Sequence, residues 1–382
     1  MPRPVTSASP RRAPGRVAVR MDGIFLARPE PFPEDGIQLA VKDLFDTASL
    51  PTTYGSILFT EHVPERSATA VTQLEACGYA NVGKTNLHEF AYGVTSQNPH
   101  FGTVPNPAAP GRTAGGSSGG SAAALAAGLA EAALGTDSGG SIRIPAACCG
   151  VVGFKPTFGL VSLEGVFPLA PTFDHAGPMA GTVEGCVRMM DVLVPGFSLP
   201  DDIDVRVGIA WLERCEPLVR ERVGDAGAML GAEEVDFPLA DNVGPAFMRE
   251  VADVHRDLFA EHADAYGDNV RGKIERCLAV TEAEYEAATR RREEYRERCE
   301  AAFAHLDLLV VPTLGFGPPA ADVDEIEVRE AMIRFTLPFN VLGWPALSVP
   351  VGEASVQIVG RSGDDALVLA AGASLERGTG QT

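Results

Sequence analysis

Two short glycine–serine runs hold the residues best suited to chemistry. The first is Gly115-Gly116-Ser117-Ser118-Gly119-Gly120-Ser121, and the second is Asp137-Ser138-Gly139-Gly140-Ser141-Ile142-Arg143. Each sets serine hydroxyls between glycines, which let successive backbone N–H groups turn toward one point. A hollow of N–H donors suits the oxyanion that develops when a hydroxyl attacks a carbonyl carbon. Neither run is a Walker loop, because no Gly-Lys-Ser/Thr follows its glycines, and neither is G-x-G-x-x-G. A G-x-S-x-G elbow is also absent, since Ile142 and Arg143 follow Ser141. A flexible linker is excluded by context. Residues 111–160 hold 12 of the 41 glycines, yet the two runs flank an apolar small-residue stretch and lead into Ile-Pro-Ala-Ala-Cys-Cys-Gly.

A serine nucleophile needs a base. Asp174-His175 and His88-Glu89 offer histidines, but adjacency in sequence says nothing about a triad, whose members come from separate elements. Lysine is the alternative. Only four of the 31 basic residues are lysine: Lys42, Lys84, Lys155 and Lys273. A desolvated lysine can lose its proton near neutral pH, and arginine cannot. Lys42 follows the apolar run Gly36–Val41 and is the best placed of the four.

The elements that must position these groups follow from periodicity. Strands are expected at Gly36–Val41, Tyr79–Val82, Val151–Phe154, Val205–Ala210, Leu306–Val311, Ala346–Val351 and Val356–Val359. Helices are expected at Ala68–Cys77, at Gly120–Leu134, which is apolar nearly all round, and at the highly charged Glu282–Phe303. Alternating strands and helices predict an α/β architecture with a largely buried sheet. Residues 1–20, rich in Pro, Arg and Ser, read as a flexible tail. Without repeats or linkers, residues 21–382 read as a single domain.

Composition bounds the function. A formal charge of −20 excludes binding of nucleic acid by phosphate neutralisation. No apolar run is long enough to span a membrane and no signal-peptide core follows Arg11, Arg12 and Arg16, so a cytoplasmic protein is expected. Glycine (41) and proline (29), about 18% of the chain, predict a loop-rich globule. Seven scattered cysteines, without C-x-x-C or finger-like histidine spacing, read as reduced, mostly buried thiols and give no metal site.

The run from Gly115 to Gly159 resembles the diagnostic segment of the amidase signature family. Supporting matches are AVKDLFD around Lys42, GKTNLHEFAYG at 83–93, FDHAGPMA at 173–180 and FTLPFNVLGWPALSVPVG at 335–352, so the resemblance runs from about residue 36 to 372. It implies a single-domain fold with a mixed central sheet covered by helices on both faces. It also implies a Ser–cis-Ser–Lys triad, with Ser141 as nucleophile, Ser117 as the cis-serine after Gly116 and Lys42 as base. Backbone N–H groups of Ser138, Gly139, Gly140 and Ser141 match the family's oxyanion hole. Asp137 and Arg143 are expected to form an ion pair that holds the turn, and Ser118 to support the triad. Lys84, Lys155 and His175 are expected to be structural. Tyr54, Tyr92, Thr172 and Phe173 are candidate lining of the acyl pocket by loop position.

The function implied is hydrolysis of small or aryl carboxamides through an acyl-enzyme on Ser141, with carbamates (urethanes) or esters as side substrates. No cofactor or metal is implied, and the expected partner is only the small-molecule amide, with the enzyme a monomer or homodimer. The second reading is the glutamine-amidase subunit of a tRNA-dependent amidotransferase. Family members usually carry more helical sequence before the catalytic lysine, whereas only 41 residues precede Lys42 here, so the stand-alone enzyme is the leading expectation.

Overall fold

The computed structural model describes residues 23–200 and 202–380; the tail expected at 1–20 lies outside them. The first half supplies β1 (Phe25–Ala27), β2 (Ile37–Lys42), β3 (Tyr79–Thr85), the small hairpin β4 (Gln97–Asn98) and β5 (Gly102–Thr103), β6 (Ala132–Asp137), β7 (Val152–Lys155) and β8 (His175–Ala180). The second half adds β9 (Val207–Ile209), β10 (Glu233–Glu234), β11 (Leu308–Pro312), β12 (Ala346–Val351) and β13 (Ala354–Val359). All but the hairpin join one sheet in the order β1-β3-β2-β6-β8-β7-β12-β13-β11-β9-β10. Its pairing is mixed. β3, β2 and β6 run parallel, as do β11, β9 and β10, while the strands between them alternate.

The helices are α1 (Thr69–Ala76), α2 (Gly119–Ala126), α3 (Arg143–Cys149), α4 (Val183–Leu193), α5 (Pro217–Met229) and α6 (Gly244–His262). They continue as α7 (Asp268–Leu278), α8 (Glu282–Ala302), α9 (Glu325–Ile333), α10 (Leu337–Leu342) and α11 (Asp365–Thr379). Strand alternation explains why both sheet faces are covered. On β2 and β6, Leu39, Val41 and Leu134 pack into one core with α1, α4 and α11, whereas Ala40 and Ala133 pack into a second core with α2. The expected α/β architecture, a mixed sheet with helices on both faces, is the one observed.

Two expectations need correction. The run Gly120–Leu134 is not one helix: α2 ends at Ala126, Gly128 takes φ +66°, and Ala132 onward forms β6. A left-handed glycine stops the helix, and alanine and leucine serve a buried strand as well as a buried helix. The strand expected at Tyr79–Val82 continues to Thr85 and so carries Lys84 into the sheet. The charged helix forms as α8, with Thr281 and Glu284 making a capping box and only Ala288, Tyr295 and Cys299 buried. The cysteines are free, and all but Cys77 are buried.

Candidate active site

The parallel strands β2, β3 and β6 end at one edge of the sheet, where side chains of an open α/β sheet converge on ligands. β2 ends in Lys42, which is fully buried. Its Nζ donates to Ser117 Oγ at 2.7 Å and to Thr136 Oγ1, near the end of β6, also at 2.7 Å. Burial pushes the Lys42 ammonium down to about 7, although the Asp137 and Asp174 carboxylates act to raise it.

Ser117 follows a cis peptide bond from Gly116. Gly116 is required by crowding, since a Cβ there would stand 2.8 Å from Ser96 N and 2.9 Å from Ser96 Oγ. Ser96 Oγ donates to the Ser117 carbonyl and accepts from Gly119 N–H, which ties the first glycine run to the loop before β4. The Ser118 N–H donates to the Ser141 carbonyl at 3.2 Å and joins the two runs.

The turn around Ser141 is held by Asp137. Its Oδ1 accepts from Gly140 N–H at 2.7 Å and its Oδ2 from Ile142 N–H at 3.1 Å. Arg143 pairs with both carboxylate oxygens, at 3.0 Å from Nε and 2.8 Å from Nη2. The guanidinium also donates to Thr336 O, Asn340 Oδ1 and Gln357 Oε1. Burial alone would raise the Asp137 carboxyl, but Arg143 holds it well below the usual carboxylate range. Gly140 sits at φ +129°, where a Cβ would run into the Thr336 side chain. Its N–H is already committed to Asp137, so of the four donors expected in the oxyanion hole this one is engaged within the turn.

Replacing Arg143 with methionine strands a buried carboxylate, which costs about 3–5 kcal/mol. Chemical denaturation should record that loss, and the double variant Asp137→Asn, Arg143→Met should recover part of it.

The serine hydroxyls of the two runs separate by what they touch. Ser117 Oγ is taken by Lys42, Ser118 Oγ donates to Thr136 O, Ser121 Oγ to Leu134 O, and Ser138 Oγ to Asp174 at 2.6 Å. Ser141 Oγ makes no hydrogen bond to a described residue, and Ser141, 8% exposed, lines a cleft of about 350 Å³ with Ser138 and Gly139. A second, apolar cavity of about 170 Å³ shares Ser138 and Leu169 with that cleft and reaches Thr136, Phe167 and Asp174.

Of the four residues expected in the acyl pocket, only Tyr92 lines the cleft. Tyr54 packs against Phe59 and Phe167, with its hydroxyl on Asp46. Thr172 bonds Glu250 at the surface, and Phe173 is wholly buried beside Phe247. These three side chains therefore lie outside the lining of the Ser141 cleft. The walls come instead from helices: Phe247 and Met248 on α6, Lys273 and Arg276 on α7, Ile326 and Arg329 on α9.

Neither the His88 nor the His175 imidazole is hydrogen-bonded to a serine hydroxyl. His175 Nδ1 faces Phe173 O at 2.7 Å, and His88 Nε2 faces Asn269 Oδ1 at 3.2 Å. Burial pushes both well below the ordinary imidazole range. Lys84 pairs with Asp43 at 3.0 Å, and Lys155 donates to Pro156 O at 3.0 Å, both away from the cleft. No cluster of three His, Cys, Asp or Glu among the described residues could hold a metal ion.

Thr136, Thr336, Asn340 and Gln357 are not among the residues expected from sequence, and Asp174, weighed there only as a partner of His175, instead binds Ser138 Oγ. Thr336 and Asn340 lie within the matched segment 335–352, the signal that could have found them; Gln357 carries none.

A model of the family described as Amidase matches residues 27–198 and 222–369. The fatty acid amide hydrolase of Medicago truncatula is 33% identical over 91% of this chain, which spans 65% of that protein's length. A glutamyl-tRNA(Gln) amidotransferase component from Natronomonas pharaonis is 35% identical over 90% of this chain and 96% of its own. A crystal structure of an amidase superposes with a TM-score of 0.82 at 38% identity, covering 89% of this chain and 84% of that one. The chain belongs to the amidase signature family, hydrolases of carbon–nitrogen bonds.

Proposed function

We propose that this protein is a stand-alone serine amidase that hydrolyses small or aryl carboxamides through an ester on Ser141. The observation that carries the reading is the buried Lys42 Nζ, 2.7 Å from Ser117 Oγ, in a glycine–serine run whose next residue, Ser118, is bonded through its N–H to the carbonyl of Ser141. Ser141 Oγ turns toward Ser117 and gives up its proton through Ser117 to neutral Lys42 as it attacks the carbonyl carbon. The carbonyl oxygen, now an anion, is met by backbone N–H groups of Ser138, Gly139 and Ser141. As the carbon–nitrogen bond breaks, the proton returns through Ser117 to the leaving nitrogen. Water then attacks the ester by the same relay, releasing the acid and restoring Ser141. Carbamates and esters fit as side substrates, since they present the same carbonyl.

Because the base must be neutral, kcat/KM is expected to rise with pH through about 7 and then level off. A pH–rate profile on a neutral anilide checks this; a flat profile from about pH 5.5 to 8.5 contradicts it.

The second reading, the glutamine-amidase component of a tRNA-dependent amidotransferase, is favoured by the identity to the Natronomonas protein. The match covers 96% of that relative. The purified chain alone, given a panel of 4-nitroanilides, decides between them. Partner-free turnover supports the amidase, and strict dependence on glutamine and a second protein supports the amidotransferase. A cytoplasmic enzyme, monomeric or homodimeric and free of cofactor, completes the proposal, and its unpaired thiols suit a reducing compartment. No helix among the described residues is long and apolar enough to cross a membrane.

A further inference from the structure

The whole chain carries −20, yet the cleft beside Ser141 is lined by three basic side chains, Arg276, Arg329 and Lys273, the last pushed down to about 7 by burial, against one exposed carboxylate, Glu330. Beneath it, the buried Glu325 answers two of the three: Lys273 Nζ lies 2.5 Å from Oε2 and Arg329 Nη1 lies 3.3 Å from Oε1. Glu325 further accepts from Val94 N–H and Asn269, so its remaining acceptor capacity is spent inside the protein. Arg276 is within ion-pair distance of no carboxylate among the described residues. Phe247, Met248, Ile333 and Leu337 give the cleft apolar walls, and Tyr92, Ser138 and Ser141 are its other polar side chains. Low-dielectric walls strengthen whatever charge pairing occurs between them.

Building on the hydrolase reading above, we infer that the substrate amide carries a carboxylate on an otherwise apolar frame, and that Arg276 with Arg329 receives it. The apolar walls hold the frame, the guanidinium groups take the anion as charge-assisted hydrogen bonds, and Ser141 faces the amide carbonyl. An acidic chain placing unpaired arginine at its cleft would repel a cationic amide there and gain little from a neutral one.

The test uses matched pairs with the full chain. Glutaryl-4-nitroanilide against pentanoyl-4-nitroanilide puts the anion on the acyl side. N-pentanoyl-4-aminobenzoate against N-pentanoyl-4-toluidine puts it on the amine side. At least one anionic member should exceed its neutral partner in kcat/KM by about ten-fold or more, through a lower KM, and the advantage should shrink with added salt. Arg276→Met should cut the anionic-over-neutral ratio about ten-fold, Arg276→Lys should keep most of it, and Glu330→Gln should widen it. Neutral members turned over as fast as both anionic ones, or a ratio indifferent to Arg276→Met, overturns the inference and leaves the hydrolase reading standing. No turnover of any member, together with no fluorophosphonate adduct on Ser141, overturns both.

Discussion

Ser141→Ala is expected to reduce kcat by about six orders of magnitude, the typical cost of removing the nucleophile from a serine hydrolase. The other serines cannot substitute for it. Ser138 is bonded to Asp174, Ser118 and Ser121 to strand carbonyls, and Ser117 to Lys42, so among the cluster serines only Ser141 presents a free hydroxyl to the cleft. The variant should also fold normally. The Ser141 contact that matters to the fold is its backbone carbonyl, which accepts from Ser118 and is untouched by the substitution. An unchanged Tm, with loss of both turnover and the covalent fluorophosphonate adduct seen by intact mass, is the expected result. Activity above about one per cent of wild type would place the nucleophile elsewhere.

Lys42→Arg is expected to lower kcat/KM by about three orders of magnitude, within the range that general-base catalysis contributes. The substitution keeps the positive charge and removes the ability to lose it, because guanidinium does not deprotonate in proteins. The physical basis is burial. Enclosed between Ser117 Oγ and Thr136 Oγ1, the ammonium is driven down to about 7, with Asp137 and Asp174 preventing a larger fall. Lys42→Met, which removes the amine without adding bulk, controls for the larger arginine and should lose activity to a similar degree. Both variants should lose the rise in rate through about pH 7. Near wild-type turnover with the rise intact in either one would rule out lysine as the base.

Much of the site was legible because it is local. Gly116 and Gly140 stand where neighbouring atoms or a left-handed φ leave no room for a side chain, so each glycine run announces its turn in the sequence. The Asp137–Arg143 pair, six residues apart, reads the same way. Reading failed where composition serves two structures equally: the run after Gly120 is helix to Ala126 and strand from Ala132, divided by one glycine. Nor does pattern say where Tyr54, Thr172 and Phe173 point, because a loop residue near Ser141 can face the core, solvent or the cleft with no change in sequence.

The glycine turns around Ser117 and Ser141 and the alternation that builds a two-faced sheet are set by neighbours in the chain, and so can be read along it. The remaining features arise from segments that meet only on folding. Arg143 is completed by Thr336, Asn340 and Gln357, at separations of 193, 197 and 214 residues, which no local pattern encodes. The lowered proton affinity of Lys42 comes from the removal of water around it, a property of the packed chain. The cationic cleft exists only because α6, α7 and α9 meet over Ser141, since helical periodicity shows which face a helix buries and not what it meets.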